Sequence, residues 1–184
     1  MKNLIKDKGE LMKYQKIYTN NEINERENCI IYNMDIGPLN SYAVVLMDDT
    51  INKPYNDECI DDNVIIYEGH DNGKIPKQNR KTSDQTLFHG KKPNQNSCFY
   101  FFAKKFMSNE ITVPRPVRVY KKLKHNSYVD IGFFGLIKVE YKSDTKRKSF
   151  KFSLSKNYKF TLRDRNQSFV NDNFKNNFYS HNNF

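Results

Sequence analysis

Two tyrosines and a cluster of carboxylates lie close together in the segment from residue 54 to residue 85. Tyr55 comes just before Asp57 and Glu58, and Tyr67 ends a short apolar run that follows them. Two aromatic faces can sandwich a planar ring, and a carboxylate can accept hydrogen bonds from an exocyclic amine. No side chain in this segment is arranged as an enzyme nucleophile. The segment therefore predicts a pocket for a nucleobase rather than a catalytic centre.

The cysteines and histidines lack the spacing of a metal site. Cys29, Cys59 and Cys98 are widely separated and form no CxxC pair, and the four histidines form no HExxH arrangement. This pattern favours buried thiols in a reducing compartment over a disulfide framework or a zinc site. We therefore expect no metal, no small-molecule cofactor and no catalytic residue.

The chain is strongly basic, with 31 Lys and Arg against 21 Asp and Glu and a net charge of +10 over 184 residues. Such an excess favours a polyanionic partner, because each neutralised phosphate releases a condensed counterion. A coding bias toward Lys and Asn would produce the same composition without that partner. No apolar run approaches the ~20 residues of a membrane span, and the N-terminus lacks the apolar stretch of a signal peptide. We expect an intracellular protein, cytoplasmic if bacterial and nuclear if eukaryotic, that does not bind membranes.

The elements that must position the tyrosines are mostly strands. Strand-like runs occupy residues 29–34, 41–47, 64–69, 113–123, 128–141 and 149–155. The apolar spacing of residues 98–107 predicts a helix, and residues 70–97 read as long loops. Gly132 and Gly135 stand where a strongly bent strand would need them. The pattern predicts an α+β, mainly β fold, either a strongly curved sheet or a small β-barrel, with one or two flanking helices.

The strand pattern also divides the chain into three parts. Residues 1–28 form a polar leader, with a short docked helix and a solvated segment equally open as interpretations. Residues 29–155 form one domain. Residues 156–184 form an Asn-rich tail for which we expect disorder or a short docked segment.

The order of several motifs resembles the SRA (SET- and RING-associated, or YDG) domain. The motifs are YAVVLM, PYND, IIYEGHD, SDQTL, PVRVYKKL, GFFGLIKV and FKFSL, and the resemblance extends over residues 29–154. The version that it resembles most is the bacterial one found in modification-dependent HNH restriction endonucleases. The resemblance implies a PUA-like β-barrel that flips a modified cytosine, 5-methyl- or 5-hydroxymethylcytosine, out of duplex DNA. No HNH cassette follows residue 155, so any nuclease would lie on a partner or in a further domain.

The resemblance also assigns site residues. It places the stacking aromatics at Tyr55 and Tyr67, and the base-binding acid at Asp57 or, after a one-residue shift, at Glu58. The remaining pocket residues that it implies are Glu68, Gly69 and His70. It gives the pair Asp84–Gln85 a structural role and puts Asp130 where the family usually has a tyrosine.

Two loops that enter the duplex, and a set of phosphate contacts, complete the predicted interface. The loop residues are Pro38, Leu39, Asn40, Asn79, Arg80 and Lys81. The predicted phosphate contacts are Lys74, Lys77, Arg118, Lys121 and Lys122. Because side chains alternate along a strand, only part of the basic run that starts at Arg115 can share one face.

Two other functions stay open at the level of the sequence. The same charge and barrel would serve a PUA-like RNA-binding protein that flips no base. A nuclease acting by itself is the second alternative, although no HNH, PD-(D/E)XK-like or HExxH arrangement can be placed. A preference for duplex DNA with a modified base separates the first alternative from the main prediction, and metal-dependent cleavage by the purified chain would establish the second.

Overall fold

A computed structural model describes residues 16–28, 34–35, 42–50, 55–71, 82–124, 126–144 and 147–160. Two helices lie in this part, α1 (Asn20–Glu27) and α2 (Gln95–Met107). The strands are β1 (Ile17–Tyr18), β2 (Met34–Asp35), β3 (Ala43–Met47), β4 (Glu58–Cys59), β5 (Val64–Glu68), β6 (Phe88–His89), β7 (Lys92–Pro93), β8 (Arg115–Lys124), β9 (Ser127–Ser143) and β10 (Lys148–Ser155). No helix among the described residues is long and apolar enough to cross a membrane.

Eight of these strands form one mixed sheet, in the order β2–β3–β8–β9–β10–β5–β4, with β1 paired to β9. Strands β3 and β8 run parallel, and the other pairs in the sheet are antiparallel. Within the described residues the path of pairing ends at β2 and β4, so the sheet is curved and open rather than closed into a barrel. The α+β, mainly β prediction is confirmed, in its curved-sheet form.

The main core lies between α2 and one face of this sheet. Helix α2 contributes Phe99, Phe102 and Ala103, all buried. The sheet contributes alternate residues of its strands, namely Ala43, Val45, Met47, Ile65, Tyr67, Val117, Val119, Phe134, Leu136, Val139, Phe150, Phe152 and Leu154. Much of this core is aromatic, and Phe99 meets Phe152 edge to face with ring centroids 5.4 Å apart. The core therefore fixes the strand that carries Tyr67.

A second, smaller core lies on the opposite face, where α1 docks. Val44 and Leu46 of β3 point to this face and pack with Ile23 and Tyr120, so β3 is buried on both sides. Buried Glu27 at the end of α1 accepts hydrogen bonds from Tyr42, at 2.5 Å, and from Tyr120. Residues Asn20–Glu27 of the predicted leader therefore form a helix that docks on the sheet.

Strand β9 has an irregular backbone at Gly132, one of the two glycines that were predicted to mark a bend. Gly132 has a φ of +94°, beside a register shift between Val119 and Tyr120 of β8, a conformation that residues with a Cβ rarely adopt. Gly135 lies so close to Pro114 that a Cβ would meet the proline Cγ at 2.6 Å. Gly132 therefore permits the register shift between β8 and β9, and Gly135 allows the segment before β8 to pack against β9.

Three expectations need correction, and part of a fourth lies outside the described residues. Helix α2 begins at Gln95 rather than 98, because the Asn94 side chain accepts from the Ser97 N–H at 3.2 Å and caps the helix earlier. The predicted loop region contains the hairpin β6–β7, with Gly90 at positive φ in its turn. Cys59 is exposed, because it lies on the short edge strand β4, whereas Cys98 is buried as expected. Of the predicted strand 29–34, only residue 34 is described.

Candidate functional site

The two predicted stacking tyrosines meet around a histidine. Tyr55 is partly buried before β4, and Tyr67 lies on β5 with 1% of its surface exposed. The imidazole of His70 contacts both rings: its centroid lies 5.6 Å from that of Tyr55 and 6.4 Å from that of Tyr67. The interplanar angles of 67° and 59° make both contacts edge-on or tilted rather than stacked. The structure thus brings Tyr55, Tyr67 and His70 together as one aromatic cluster.

Asp57 lies beside this cluster and is buried, with 2% of its surface exposed. Its Oδ1 accepts from the Glu68 N–H at 2.9 Å, and its Oδ2 accepts from the Asp48 N–H at 3.0 Å. Burial and the nearby Asp57 carboxylate raise the pKa of the Tyr67 hydroxyl well above its usual value. Glu58, the alternative acid, is exposed on β4. Of the two candidates, only Asp57 is buried beside the tyrosines.

Glu68 is fully buried and held by cations. Its Oε2 accepts from Lys151 Nζ at 2.6 Å and from the Asn56 N–H at 2.9 Å, and its Oε1 pairs with Arg147. Arg147 also pairs with Asp71, and its guanidinium lies 6.0 Å from the centre of the Tyr55 ring. Glu68 therefore organises the wall of the site, and its carboxylate oxygens are already engaged by protein groups.

The backbone of Gly69 and His70 is held by two buried amide side chains. Gln85 Nε2 donates to the Gly69 carbonyl at 2.5 Å, and its Oε1 accepts from the Phe150 N–H at 2.9 Å. Asn96, at the start of α2, accepts from the His70 N–H and donates to the His70 carbonyl, both at 2.8 Å. A Cβ on Gly69 would come within 2.6 Å of Asn96 Oδ1. These contacts fit the structural role predicted for Asp84–Gln85.

His70 is neutral in this environment. Burial lowers the pKa of its imidazole from 6.5 to about 4, because removing a cation from water disfavours the protonated form. The Nε2 atom is buried, although the residue as a whole is partly exposed. At neutral pH the two tyrosines therefore face an uncharged planar ring.

The basic residues of β8 are paired with acids. Lys121 contacts Asp49 at 2.7 Å, and Lys122 contacts Asp48 at 2.8 Å. The Asp48 N–H also donates to Asp57. The remaining predicted contact on this strand is Arg118, which lies on the face covered by α1 and contacts Asp130 at 2.7 Å and Glu27 at 3.5 Å.

Arg115, at the start of the basic run, is only 2% exposed, with its guanidinium 4.8 Å from the centre of the Phe102 ring. Burial lowers the pKa of this guanidinium to about 10. Residue 115 therefore belongs to the core. The remaining predicted residues, Pro38, Leu39, Asn40, Lys74, Lys77, Asn79, Arg80 and Lys81, lie outside the described residues.

Sequence reasoning missed four side chains of this site: Gln85 as a direct clamp, Asn96, Arg147 and Lys151. Asn96 reads as one polar residue in an Asn-rich stretch, and Arg147 as one charge in the run KRK. Both residues reach the site from elements that are distant in sequence from the tyrosines. Neither their type nor their spacing from the tyrosines therefore marks them as site residues. Among the described residues, no group of three or more His, Cys, Asp or Glu could hold a metal ion.

No protein-family model matches this chain, and no curated protein matches it. Solved structures do match. The SUVH5 SRA domain in complex with hemi-methylated CG DNA is 20% identical, with a TM-score of 0.51, over 79% of this chain and 88% of that one. KRYPTONITE in complex with mCHG DNA and SAH is 16% identical, with a TM-score of 0.52, over 80% of this chain and 33% of that one.

A further SUVH5 SRA complex, with fully methylated CG DNA, is 24% identical with a TM-score of 0.42, over 62% of this chain. That match spans 64% of the SUVH5 chain, less than two thirds of its length. At sequence identities of 16% to 24%, the likeness to these structures shows the fold alone. The curved mixed sheet with its packed helix is the fold of an SRA domain.

Proposed function

We propose that this chain recognises a modified cytosine in duplex DNA by taking the base out of the helix into the cluster of Tyr55, Asp57 and Tyr67. One observation carries the proposal. On the fold of an SRA domain, two aromatic rings and a buried carboxylate come together beside His70. Solved structures with this fold, the SUVH5 SRA domain and KRYPTONITE, are complexes with methylated DNA. The modification is 5-methyl- or 5-hydroxymethylcytosine.

The tyrosines and the aspartate have separate roles in this proposal. Stacking on an aromatic ring contributes about 1–3 kcal/mol per base, which offsets the few kcal/mol needed to extrude a base. The buried carboxylate of Asp57 accepts a backbone amide on each of its oxygens. We propose that the same carboxylate accepts the cytosine N4 amine when a base enters, whereas the O4 acceptor of thymine would be repelled.

The basic residues position the duplex. Lys121 pairs with Asp49, and its Nζ lies 3.9 Å from Cys59 Sγ on β4. Lys122 pairs with Asp48, and we propose that both lysines exchange their aspartate partners for phosphates when DNA binds. Lys74, Lys77 and Arg118 are proposed as further phosphate contacts. Arg118 also has a structural role, because it pairs with Asp130 of β9. The loops with Pro38, Leu39 and Asn40 and with Asn79, Arg80 and Lys81 are proposed to enter the grooves.

We further propose that the chain is a binding module without nuclease activity, and that cleavage in a restriction system would come from a partner or a further domain. The purified chain should leave a modified duplex intact in the presence of Mg²⁺ or Mn²⁺. Metal-dependent cleavage that co-purifies with the chain and is lost in Asp57→Asn would contradict this part of the proposal.

Fluorescence anisotropy tests the binding function. Matched duplexes would carry cytosine, 5-methylcytosine or 5-hydroxymethylcytosine at one site, at one stated salt concentration, with single-stranded RNA as a further ligand. Wild type should prefer a modified duplex, and Tyr55→Ala should lower that preference by about tenfold, because one stacking face is lost. Tyr158→Ala, which removes a tyrosine packed on Phe106, is the matched control and should keep the preference.

Equal, steeply salt-dependent binding to all ligands would leave only a basic sheet with non-specific affinity and would refute base recognition. Tighter binding to the single-stranded RNA than to any duplex would favour the RNA-binding alternative. Melting temperatures of all variants separate a loss of contacts from a loss of folding.

A further inference from the structure

The proposed function requires a base to reach the ring of Tyr67, yet this ring is only 1% exposed. The Tyr67 side chain packs in the apolar core around α2. It also contacts the His70 imidazole, whose centroid lies 6.4 Å from that of Tyr67 and 5.6 Å from that of Tyr55. Both distances fall within the range of direct ring contact. A base that stacks on Tyr67 must therefore displace something that now packs there.

The backbone next to Tyr67 is poorly suited to move. Asn96 binds both the N–H and the carbonyl of His70 at 2.8 Å, and Asn96 itself is fully buried. Gln85 holds the Gly69 carbonyl and also accepts from the Phe150 N–H of β10. Moving this backbone would break several buried hydrogen bonds at once, each expensive to leave unmade. A rotation of the His70 side chain leaves these backbone hydrogen bonds in place.

Resting on the proposed function, we infer that the imidazole of His70 takes the place of the base in the DNA-free protein and turns away when a flipped cytosine enters. The imidazole suits this place because it is planar, uncharged at neutral pH and in contact with both tyrosines. An entering base must replace both ring contacts before binding is favourable. His70 is thereby a specificity-determining residue, since a base with fewer contacts of its own displaces it less readily.

Two substitutions at His70 should have opposite effects on binding. His70→Ala removes the competing ring and should tighten binding to the 5-methylcytosine duplex on the order of five- to tenfold. His70→Phe keeps a ring there and should weaken binding to the same duplex by a similar factor. His89→Ala, which changes a histidine of the β6–β7 hairpin, is the matched control and should bind like wild type.

The second measurement is the fluorescence of 2-aminopurine placed beside the target cytosine, which rises when the neighbouring base leaves the stack. His70→Ala should raise this signal even with unmodified cytosine, because the flipped base no longer competes with the imidazole for contact with the two tyrosines. His70→Phe should lower it with the modified duplex, and this arm decides the question if the alanine variant fails to fold, as judged by its melting curve.

Weaker binding by a folded His70→Ala variant would overturn the inference, since it would make the imidazole a direct partner of the base. Unchanged binding by both variants would overturn it as well. In either case a wild-type preference for the modified duplex would leave the proposed function standing. If wild type shows no such preference, the proposed function fails and the inference fails with it.

Discussion

At the scale of single residues, the charge of the bonding partners distinguishes the two buried carboxylates that were predicted to line the pocket. Asp57 and Glu68 have almost the same low exposure, but their partners differ. Asp57 receives two backbone N–H groups, whereas Glu68 is paired with Arg147 and Lys151. Glu68 therefore serves to hold the site together. We propose base recognition for Asp57 rather than for Glu68, because the Glu68 carboxylate is already neutralised by two cations.

The buried histidine makes stability depend on pH. The pKa of His70 is lowered to about 4 in the folded chain from 6.5, so the unfolded chain binds more protons between these values. Stability should therefore fall as pH is lowered through this window, by on the order of 2 kcal/mol between about pH 7 and about pH 5. Urea unfolding of wild type and His70→Gln at both pH values measures this difference.

The glutamine variant is the control, because it lacks the titrating imidazole and should show a smaller pH dependence than wild type. An equal fall in stability for both proteins would show that other groups cause the acid sensitivity and that the imidazole titrates normally.

At the scale of elements, the site is a junction where β5, β10 and the start of α2 meet through polar side chains. Gln85 links Gly69 at the end of β5 to Phe150 of β10, and Asn96 of α2 holds His70. Because strand order places β5 beside β10, one buried amide can serve both. The stretch from Glu68 to His70 is thus fixed by side chains rather than by a regular ladder alone.

Removing the clamp should destabilise the protein markedly. Gln85→Ala leaves the Phe150 N–H and the Gly69 carbonyl without this partner in a buried setting. The expected loss is about 2–4 kcal/mol in the free energy of unfolding, measured by denaturant titration. Gln95→Ala, at the partly exposed start of α2, is the control, with an expected change of less than about 1 kcal/mol.

A change of similar size in both glutamine variants would contradict the clamp. If Gln85→Ala is as stable as wild type, the segment that carries His70 must be held by contacts other than this side chain.

At the scale of the whole molecule, the net charge of +10 should govern how binding depends on salt. If four or five phosphates are contacted, a plot of the logarithm of the association constant against the logarithm of the salt concentration should have a slope of about −4. The ratio of affinities for modified and unmodified duplexes should stay nearly constant, because both duplexes offer the same phosphates. Anisotropy titrations over a range of salt concentrations measure both quantities.

Lys122→Gln should reduce the magnitude of this slope by about 1, since it removes one proposed phosphate contact near Asp48. Lys104→Gln changes an exposed lysine of α2 and should leave the slope unchanged. Identical slopes for wild type and Lys122→Gln would remove Lys122 from the set of phosphate contacts.

The sequence by itself determined the fold class and proposed the aromatic and acidic residues of the candidate site. Alternating apolar runs predicted the strands of the sheet, because side chains alternate across a strand. Gly132 and Gly135 marked two special positions of β9, because a positive φ and a close approach both favour the absence of a Cβ. The short spacing of Tyr55, Asp57 and Tyr67 made their proximity predictable from local sequence.

Only the tertiary structure decided which charged and polar groups surround them. Arg147, Lys151 and Asn96 reach the site because strand pairing and helix packing bring distant segments together. The same long-range order buries Arg115 against α2 and pairs Lys121 and Lys122 with aspartates. A local pattern records which face a side chain occupies, but its partner depends on contacts between residues far apart in the chain, which no short window of sequence contains.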